Sequence, residues 1–286
     1  MIKKIRYLGN WVLLVGSTIL VCLFLGIILF DIVSKGLPAL SWGFITKFPQ
    51  KGMTQGGILP AIIGTTLLTF ITTIFSVPFG VACAVYLNEY AKPSLLANII
   101  RASIRNLAGI PSIIYGLFGL ALFVQALRLG TSVLSAGLTL GLLSLPYVIT
   151  TTEEALKRVP NGMREATLAL GATQFETIRD VVLRRASPGI LTGIILTLSR
   201  AAGETAPILF TGVAFYINSV TVSLNQEFMA LPYHLYMLAT QHQSIEQVRP
   251  LAYATALVLI LLVFILNSIA FFIRYKQRAQ DEYGRN

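Results

Sequence analysis

Charge is scarce in this chain, and cysteine is scarcer. Of 286 residues, 12% are charged and 2 are cysteine, while 55% are hydrophobic. Cys22 and Cys83 both fall inside apolar runs, with no CxxC or Cys/His cluster, so neither a disulfide framework nor a thiolate metal site is supported. The 2 histidines, His234 and His242, lie eight residues apart with no Cys or calcium-loop pattern nearby, which speaks against zinc. No G-x-x-x-x-G-K-[ST] run occurs, and no glycine is followed by lysine. A P-loop needs that lysine and its row of backbone N–H groups to hold nucleotide phosphates, so this chain is not an ATPase of that form. Lys3, Lys4 and Arg6 resemble the start of a secretory signal. The apolar run to Phe30 is too long for one, however, and no small-x-small cleavage site follows. Internal repeats and low-complexity linkers are also missing, and the whole chain, 1–286, reads as a single membrane domain.

What the chain does have is long uncharged stretches. Six spans fit them, at 11–33, 59–87, 107–127, 130–152, 189–213 and 250–273, because about 18 apolar residues suffice to cross the hydrocarbon core. The fold class is therefore all-α, a polytopic bundle of six transmembrane helices. The net charge of +10 is explained by topology rather than by nucleic acid, which is not expected as a partner. With the N-terminus inside, sixteen of the 22 Lys and Arg residues fall on the inner side and five on the outer, leaving Arg200 within a span. The positive-inside rule then places both termini in the cytoplasm. Pro78, Pro146 and Pro207 punctuate spans two, four and five. Gly137–Gly141 and Gly189–Gly193 are GxxxG pairs suited to close helix approach, within the bundle or with another subunit. Only Arg128 and its neighbours separate spans three and four, which predicts a tight hairpin.

One polar stretch interrupts this pattern on the inner side, within a loop of about 153–188: MREATLALGATQFETIRDVVLRRASPGI, from Met163 to Ile190. Asn161 is placed to cap a first short helix and Gly171 to end it in a left-handed conformation. Thr173 and Glu176 have the spacing of a capping box. Phe175, Ile178, Val182 and Ala186 fall on one stripe of the helix that follows, away from Arg179 and Asp180, and Pro188 is expected to break it before span five. Two short angled helices suit either docking on a partner or lying on anionic headgroups, and the residues by themselves leave both open.

Arg200 and Glu204, in LSRAAGETAP, are the clearly intramembrane charges, one turn apart near the centre of span five. An arginine there costs about 2.5–3.5 kcal/mol on insertion scales. An i,i+4 pair returns only about 0.2–0.5 kcal/mol on a solvated helix. A wet cavity or a visiting anion compensates better, though a structural clasp between the two is the competing reading. Glu153 and Glu154 belong to the charge network of the loop. Asp31 is a solvated charge at the end of span one. The outer segment 214–249, with Tyr233, Tyr236 and Leu238 around the histidines, predicts a short helix at the outer surface.

The loop also carries a resemblance. Glu165-Ala166-Thr167, three residues, Gly171, nine residues, Val181-x-Leu183 resembles the EAA loop of bacterial ABC importer permeases, with Thr167, Val181 and Arg184 departing from the usual residues. TTEEALKRVPNGMREATLALGAT, TLSRAAGETAPILFTG, YLNEYA and IPSIIYGLFG are similar to the phosphate-importing permeases of that family. The resemblance implies an inner-membrane, multi-pass subunit for phosphate import that binds no cofactor and no metal itself. It implies two copies of an ATP-binding subunit that consume the ATP, docked on Glu165, Ala166, Thr167 and Gly171. It also implies a second homologous permease, an extracytoplasmic phosphate-binding protein and contact with membrane lipid. A permease for another tetrahedral oxyanion is the alternative. A secondary transporter is disfavoured by the lack of repeats, and a membrane enzyme by the thin set of intramembrane ionisable groups.

The orientation is tested by labelling. In a chain lacking Cys22 and Cys83, cysteine at Gln50 or Gln243 is expected to react with an impermeant thiol reagent added outside, and cysteine at Gln174 is not. The opposite pattern overturns the charge argument.

Overall fold

A computed structural model describes residues 2–91, 94–217 and 223–283. Lys92 and Arg285, two of the basic residues assigned to the inner side, lie outside the described residues, as does the 218–222 part of the outer segment.

Helix α1 (Ile2–Gly36) contains the first expected span. Its apolar length is exposed, as a lipid-facing helix requires, and its far end packs on the last helix, where Gly36 meets the backbone at Tyr253. A cap follows, made of α2 (Trp42–Thr46) and a minimal antiparallel hairpin, β1 (Pro49–Gln50) with β2 (Gln55–Gly56), pairing Pro49 with Gly56 and Gln50 with Gln55. Helix α3 (Leu59–Val85) is prolonged by a wide π turn over Tyr86–Tyr90.

The expected third span, 107–127, holds α5 (Ser112–Gly119), extended by π turns to Ala126, and α5 is preceded by a further helix, α4 (Leu95–Leu107), from which it is bent by 102°. The cause is local. Pro111 biases the residue before it away from the helical region, so α4 cannot run into α5, and Gly109 loosens the corner. Among the described residues five helices are long and apolar enough to cross a membrane by themselves, and the bent pair, taken as one span, makes up to six.

The hairpin into α6 (Val133–Lys157) is as tight as expected, with positive φ at Arg128 and Gly130, and Ser132 caps α6 by accepting from the Ser135 amide. Then come α7 (Asn161–Ala169), α8 (Gln174–Glu176), π turns over Thr177–Val182 and α9 (Leu183–Ala202). Pro188 does not break this helix: Gln174–Ala202 is one continuous 29-residue segment. The carbonyl of Arg184, which proline leaves without its i+4 donor, accepts from the Ser187 hydroxyl at 2.9 Å. The fifth span breaks later instead, at Gly203–Thr205, before the single turn of α10 (Ala206–Leu209). Helices α11 (Leu231–Thr240) and α12 (Ile245–Tyr283) complete the chain.

Small residues set the packing. Gly137 and Gly141 sit against Ile71 and Phe75 of α3, while Gly189 and Gly193 sit against Ala155 and Thr151 of α6, so both GxxxG pairs are spent inside the bundle. At the far end the return after α10 covers α6: the amides of Val133 and Leu134, first-turn donors with no intrahelical partner, reach the carbonyls of Gln226 and Leu224 at 3.0 Å.

The expected short helix of the outer segment is α11, and it buries His234 against Phe44, Met53 and Ile58 of the cap. His242 reaches the Gly52 carbonyl at 2.8 Å, tying the segment to the hairpin. Burial pushes the His234 imidazole down to about 4. Above pH 6.5 it is neutral folded or unfolded. Below that, only the unfolded chain takes up the proton, so stability falls as pH drops from 6.5 toward 4, by about 2 kcal/mol at pH 5. Melting in detergent at pH 7 and pH 5 checks this: His234→Leu is expected to lose less stability between the two than the native protein does. Equal losses mean the imidazole is not the acid-sensitive group.

Candidate functional site

The register of α9 on α6 sets the depth of Arg200. Gly189 lies opposite Ala155 and Gly193 opposite Thr151. Carrying that antiparallel register onward brings Arg200 level with Ser144, near the middle of α6. Its guanidinium carbon stands 4.5 Å from the centre of the Tyr147 ring, within cation–π range. Its Nε lies 3.4 Å from Glu204 Oε1, and the two side chains are 51% and 16% exposed. Glu204 is beyond the helix end, not on it, because α9 stops at Ala202 with Gly203 as its C-cap, yet its carboxylate still turns back to Arg200. Just before Arg200, the Ser199 hydroxyl meets Asn267 Oδ1 of α12, which fixes the rotation of α9.

The bend between α4 and α5 opens at the same level. Tyr147 Oη donates to the Ala108 carbonyl at 2.8 Å, and Tyr115 Oη to the Leu107 carbonyl at 3.0 Å. At the end of α4 the Ala108 carbonyl takes the Tyr147 phenol in place of a helical donor, and the Leu107 carbonyl accepts from Tyr115 beside the Ile110 amide, at 3.1 Å. Gly116 of α5 packs on α10: a Cβ there would lie 3.0 Å from the Pro207 Cα. Two helix interruptions therefore stand side by side around Arg200. Between α6 and α9, toward the loop end, lies a furrow with Thr151 and Glu154 on the α6 wall and Leu196, Gly193 and Thr192 on the α9 wall; Arg200 and Tyr147 stand one helical turn beyond its Leu196 and Thr151 end.

The second constellation is the loop end. Asn161 starts α7 but forms no cap; Pro160 holds that position. The capping box is present, with Thr173 N donating to Glu176 Oε2 at 2.8 Å and Glu176 N to Thr173 Oγ1 at 3.3 Å. Gly171 has φ +89°, the left-handed turn expected of it. Ile178, Val182 and Ala186 are buried as a stripe, but Phe175 is 62% exposed. The π turns over Thr177–Val182 add a residue to the repeat and rotate everything before them, so Thr177 enters the core and Phe175 leaves it. Phe175 instead lies under the Arg179 guanidinium at 5.8 Å, and Arg179 pairs with Asp180. Glu165 and Ala166 are exposed on α7 and Thr167 is half-buried. Leu170 is 89% exposed. An apolar tip ringed by charges on a polar loop is the composition of a docking surface.

Sequence reasoning missed what holds this surface. Arg164 reaches Glu89 at the end of α3 with two bonds, Nε to Oε2 at 3.0 Å and Nη2 to Oε1 at 2.7 Å. The side chains are only 16% and 7% exposed. The same guanidinium donates to the carbonyls of Val159 and Leu156, and Gln174 Nε2 donates to the Glu89 carbonyl. A second cluster binds α4 to α6: Glu153 accepts from Arg101 at 2.8 Å and pairs with Lys157 at 2.9 Å, while Arg101 also reaches the Leu87 carbonyl. Glu153 thus joins the network expected of it, and Glu154 stays outside it, exposed on the furrow wall. The one available signal was an acidic residue, Glu89 in YLNEYA, at the basic end of a span.

Residues 76–278 match the family described as "Binding-protein-dependent transport system inner membrane component". The chain is 36% identical over 244 residues to the "Phosphate transport system permease protein PstA" of Pasteurella multocida, covering 85% of each chain. It is 35% identical over 284 residues to the "Probable phosphate transport system permease protein PstA" of Methanocaldococcus jannaschii, covering 98% of this chain and 97% of that one. A chain of the inward-facing MetNI methionine ABC transporter superposes with a TM-score of 0.62 at 20% identity, over 77% of this chain and 95% of that chain. A chain of a bacterial ABC transporter for alginate import superposes with 0.65 at 13% identity, over 96% and 97%. At such identities these two structures speak for the fold alone.

The anchor at Glu89 is testable. Arg164→Met strands a buried carboxylate, a cost of about 3–5 kcal/mol. Amide hydrogen exchange over 161–176 is expected to quicken in this variant and to slow again when Glu89→Leu is added, because no buried charge then remains. Native-like exchange in Arg164→Met removes the anchor.

Proposed function

The chain belongs to the family of binding-protein-dependent transport system inner membrane components, and we propose that it is the permease subunit through which an ATP-driven importer moves inorganic phosphate into the cell. It is a multi-pass membrane protein that works with ABC-type partners. In the proposed assembly these are two copies of an ATP-binding subunit, a second homologous permease and an extracytoplasmic phosphate-binding protein. The loop end faces the cytoplasm, both termini lie there, and ATP is hydrolysed by the partner.

The observation that carries this reading is the unbroken helix Gln174–Ala202. At about 1.5 Å per residue it is a lever of roughly 43 Å, with the docking tip at one end and Arg200 at the other. When the ATP-binding subunits close, they push on Leu170, Phe175 and the Glu165–Gly171 segment. Arg164–Glu89 passes the displacement to α3, and α9 carries it to mid-membrane. Phosphate delivered at the far end then passes Arg200 as the bundle switches between its two openings.

The pair also supplies a chemistry of choice. A guanidinium binds two oxygens of a tetrahedral oxyanion in a fork that an ammonium does not reproduce. Phosphate near neutral pH keeps at least one O–H, which Glu204 accepts, whereas fully ionised sulfate meets the carboxylate as repulsion. In vesicles holding the whole complex, phosphate uptake is expected to resist sulfate and molybdate. Arg200→Lys should cut it strongly without loss of assembly. Glu204→Gln should reduce uptake and weaken discrimination against sulfate, read in a permease variant that works without the binding protein. Exchanging the pair, Arg200→Glu with Glu204→Arg, should not restore uptake; full rescue makes the pair a clasp.

A further inference from the structure

The furrow between α6 and α9 begins one helical turn from Arg200. It is a cavity of about 270 Å³ lined by Thr151, Glu154, Thr192 and Arg158, among others. Below it lies another of about 300 Å³, lined by Arg158, Arg185 and Met163. The two share Ala155 and Arg158, so they form one trough from the level of Thr151 and Leu196 to the loop. Among the described residues neither Arg158 nor Arg185 has an ion-pair or hydrogen-bond partner, although Arg101, Arg164 and Arg179 nearby are all paired. Both residues are exposed and line the lower cavity together, and an anion between two guanidinium groups relieves their mutual repulsion. Glu154, one turn from Arg158 on α6, repeats the Arg–Glu combination of Arg200 and Glu204.

We infer that Arg158 and Arg185 form a second oxyanion station at the loop end of the furrow. There a phosphate anion rests before release, with Glu154 accepting a hydrogen bond from its protonated oxygen. The inference rests on the import of phosphate proposed above. A lipid phosphodiester headgroup shares the oxyanion chemistry and has access to the same rim. It carries no P–O–H at neutral pH, however, so Glu154 disfavours it where it favours phosphate. The guanidinium fork serves here as at Arg200, and its position beside α7 places the departing anion next to the element that the ATP-binding subunits move.

A release station fills from the trans side, and this gives the test. In vesicles containing the complete complex, inorganic phosphate loaded inside is expected to slow uptake, and equal sulfate is not. Arg158→Gln with Arg185→Gln should raise the internal phosphate needed for half-inhibition roughly tenfold or more, while the external concentration for half-maximal uptake stays unchanged. The same comparison in vesicles of neutral phosphatidylcholine and of anionic phosphatidylglycerol separates the sources: an effect of the substitutions that vanishes in the neutral lipid assigns the site to headgroups and overturns the station. Should the double variant assemble poorly, the native complex still answers. Inorganic phosphate, and not sulfate, should protect Arg158 and Arg185 from an arginine-specific dicarbonyl reagent, read by mass spectrometry. Absence of both trans-inhibition and protection sinks the station while phosphate uptake itself persists. Loss of ATP-binding subunit on purification of the double variant, with protection absent in the native complex, assigns the arginines to docking instead. Failure of the native complex to import phosphate at all is a different result and strikes the functional reading.

Discussion

A helix that stops inside a membrane leaves backbone carbonyls and amides with no water to satisfy them, and this chain interrupts two helices halfway along its bundle. The rest of the central structure answers that constraint. Tyr115 and Tyr147 are donors for the carbonyls at the end of α4. Pro207 sits in the first turn of α10, where the amide it lacks has no intrahelical partner in any case. Gly116 lets the two interruptions touch. Tyr147 has two duties, since the ring that carries this hydroxyl is also the face on which the Arg200 guanidinium lies. The arginine is thus held by the same residue that makes the neighbouring break affordable, and neither feature is independent of the other.

The opposite solution governs the loop end, where continuity is preserved at some local cost. Proline within α9 and π turns before it are both departures from regular helix, yet the segment stays whole. Ser187 serves the carbonyl that Pro188 abandons, and the π turns place Thr177 and Ile178 inside while turning Phe175 out. A stiff segment that begins in an exposed apolar tip and ends at a mid-membrane charge transmits displacement without needing a hinge. Two charge clusters, Arg164–Glu89 and Arg101–Glu153–Lys157, tie α7 to the end of α3 and α4 to α6, so the elements of the loop end are held together.

How much of this was legible in the sequence follows from the range of each interaction. The spans, the tight hairpin at Arg128, the capping box and the turn at Gly171 are local, and each was readable from composition or spacing. The helix ahead of the third span, α4, was not. Arg101 and Arg105 make α4 look like a loop to a hydropathy window, although Ile104 and Ala97 give it a buried side. Pro188 misled because a missing amide was counted as a break, when a serine hydroxyl one residue away makes good the loss. Phe175 misled because a helical stripe assumes an unchanging period, which the π turns alter. Glu89 and Arg164 are 75 residues apart, and nothing in a single sequence pairs them.

The same chain also shows what a structural clasp between arginine and carboxylate looks like, and the comparison bears on the role proposed for Arg200. Arg164 and Glu89 make two short bonds in fork geometry, both side chains are nearly covered, and three backbone carbonyls complete the coordination of the pair and its neighbours. Low dielectric demands this much, because a buried charge left with spare donors costs more than its partner returns. Arg200 satisfies none of these conditions. Its one contact with Glu204 is long, at 3.4 Å, and it presents a single nitrogen, while half of the side chain is exposed. A group with several unused donors, supported on an aromatic face and beside a carboxylate, is arranged to accept a further oxyanion rather than to close a bundle. Bound in that way, the anion would restore to Arg200 the coordination that Arg164 already has from the protein. The permanent pair stabilises the loop end, and the incomplete one supports the reading of the centre as a passage.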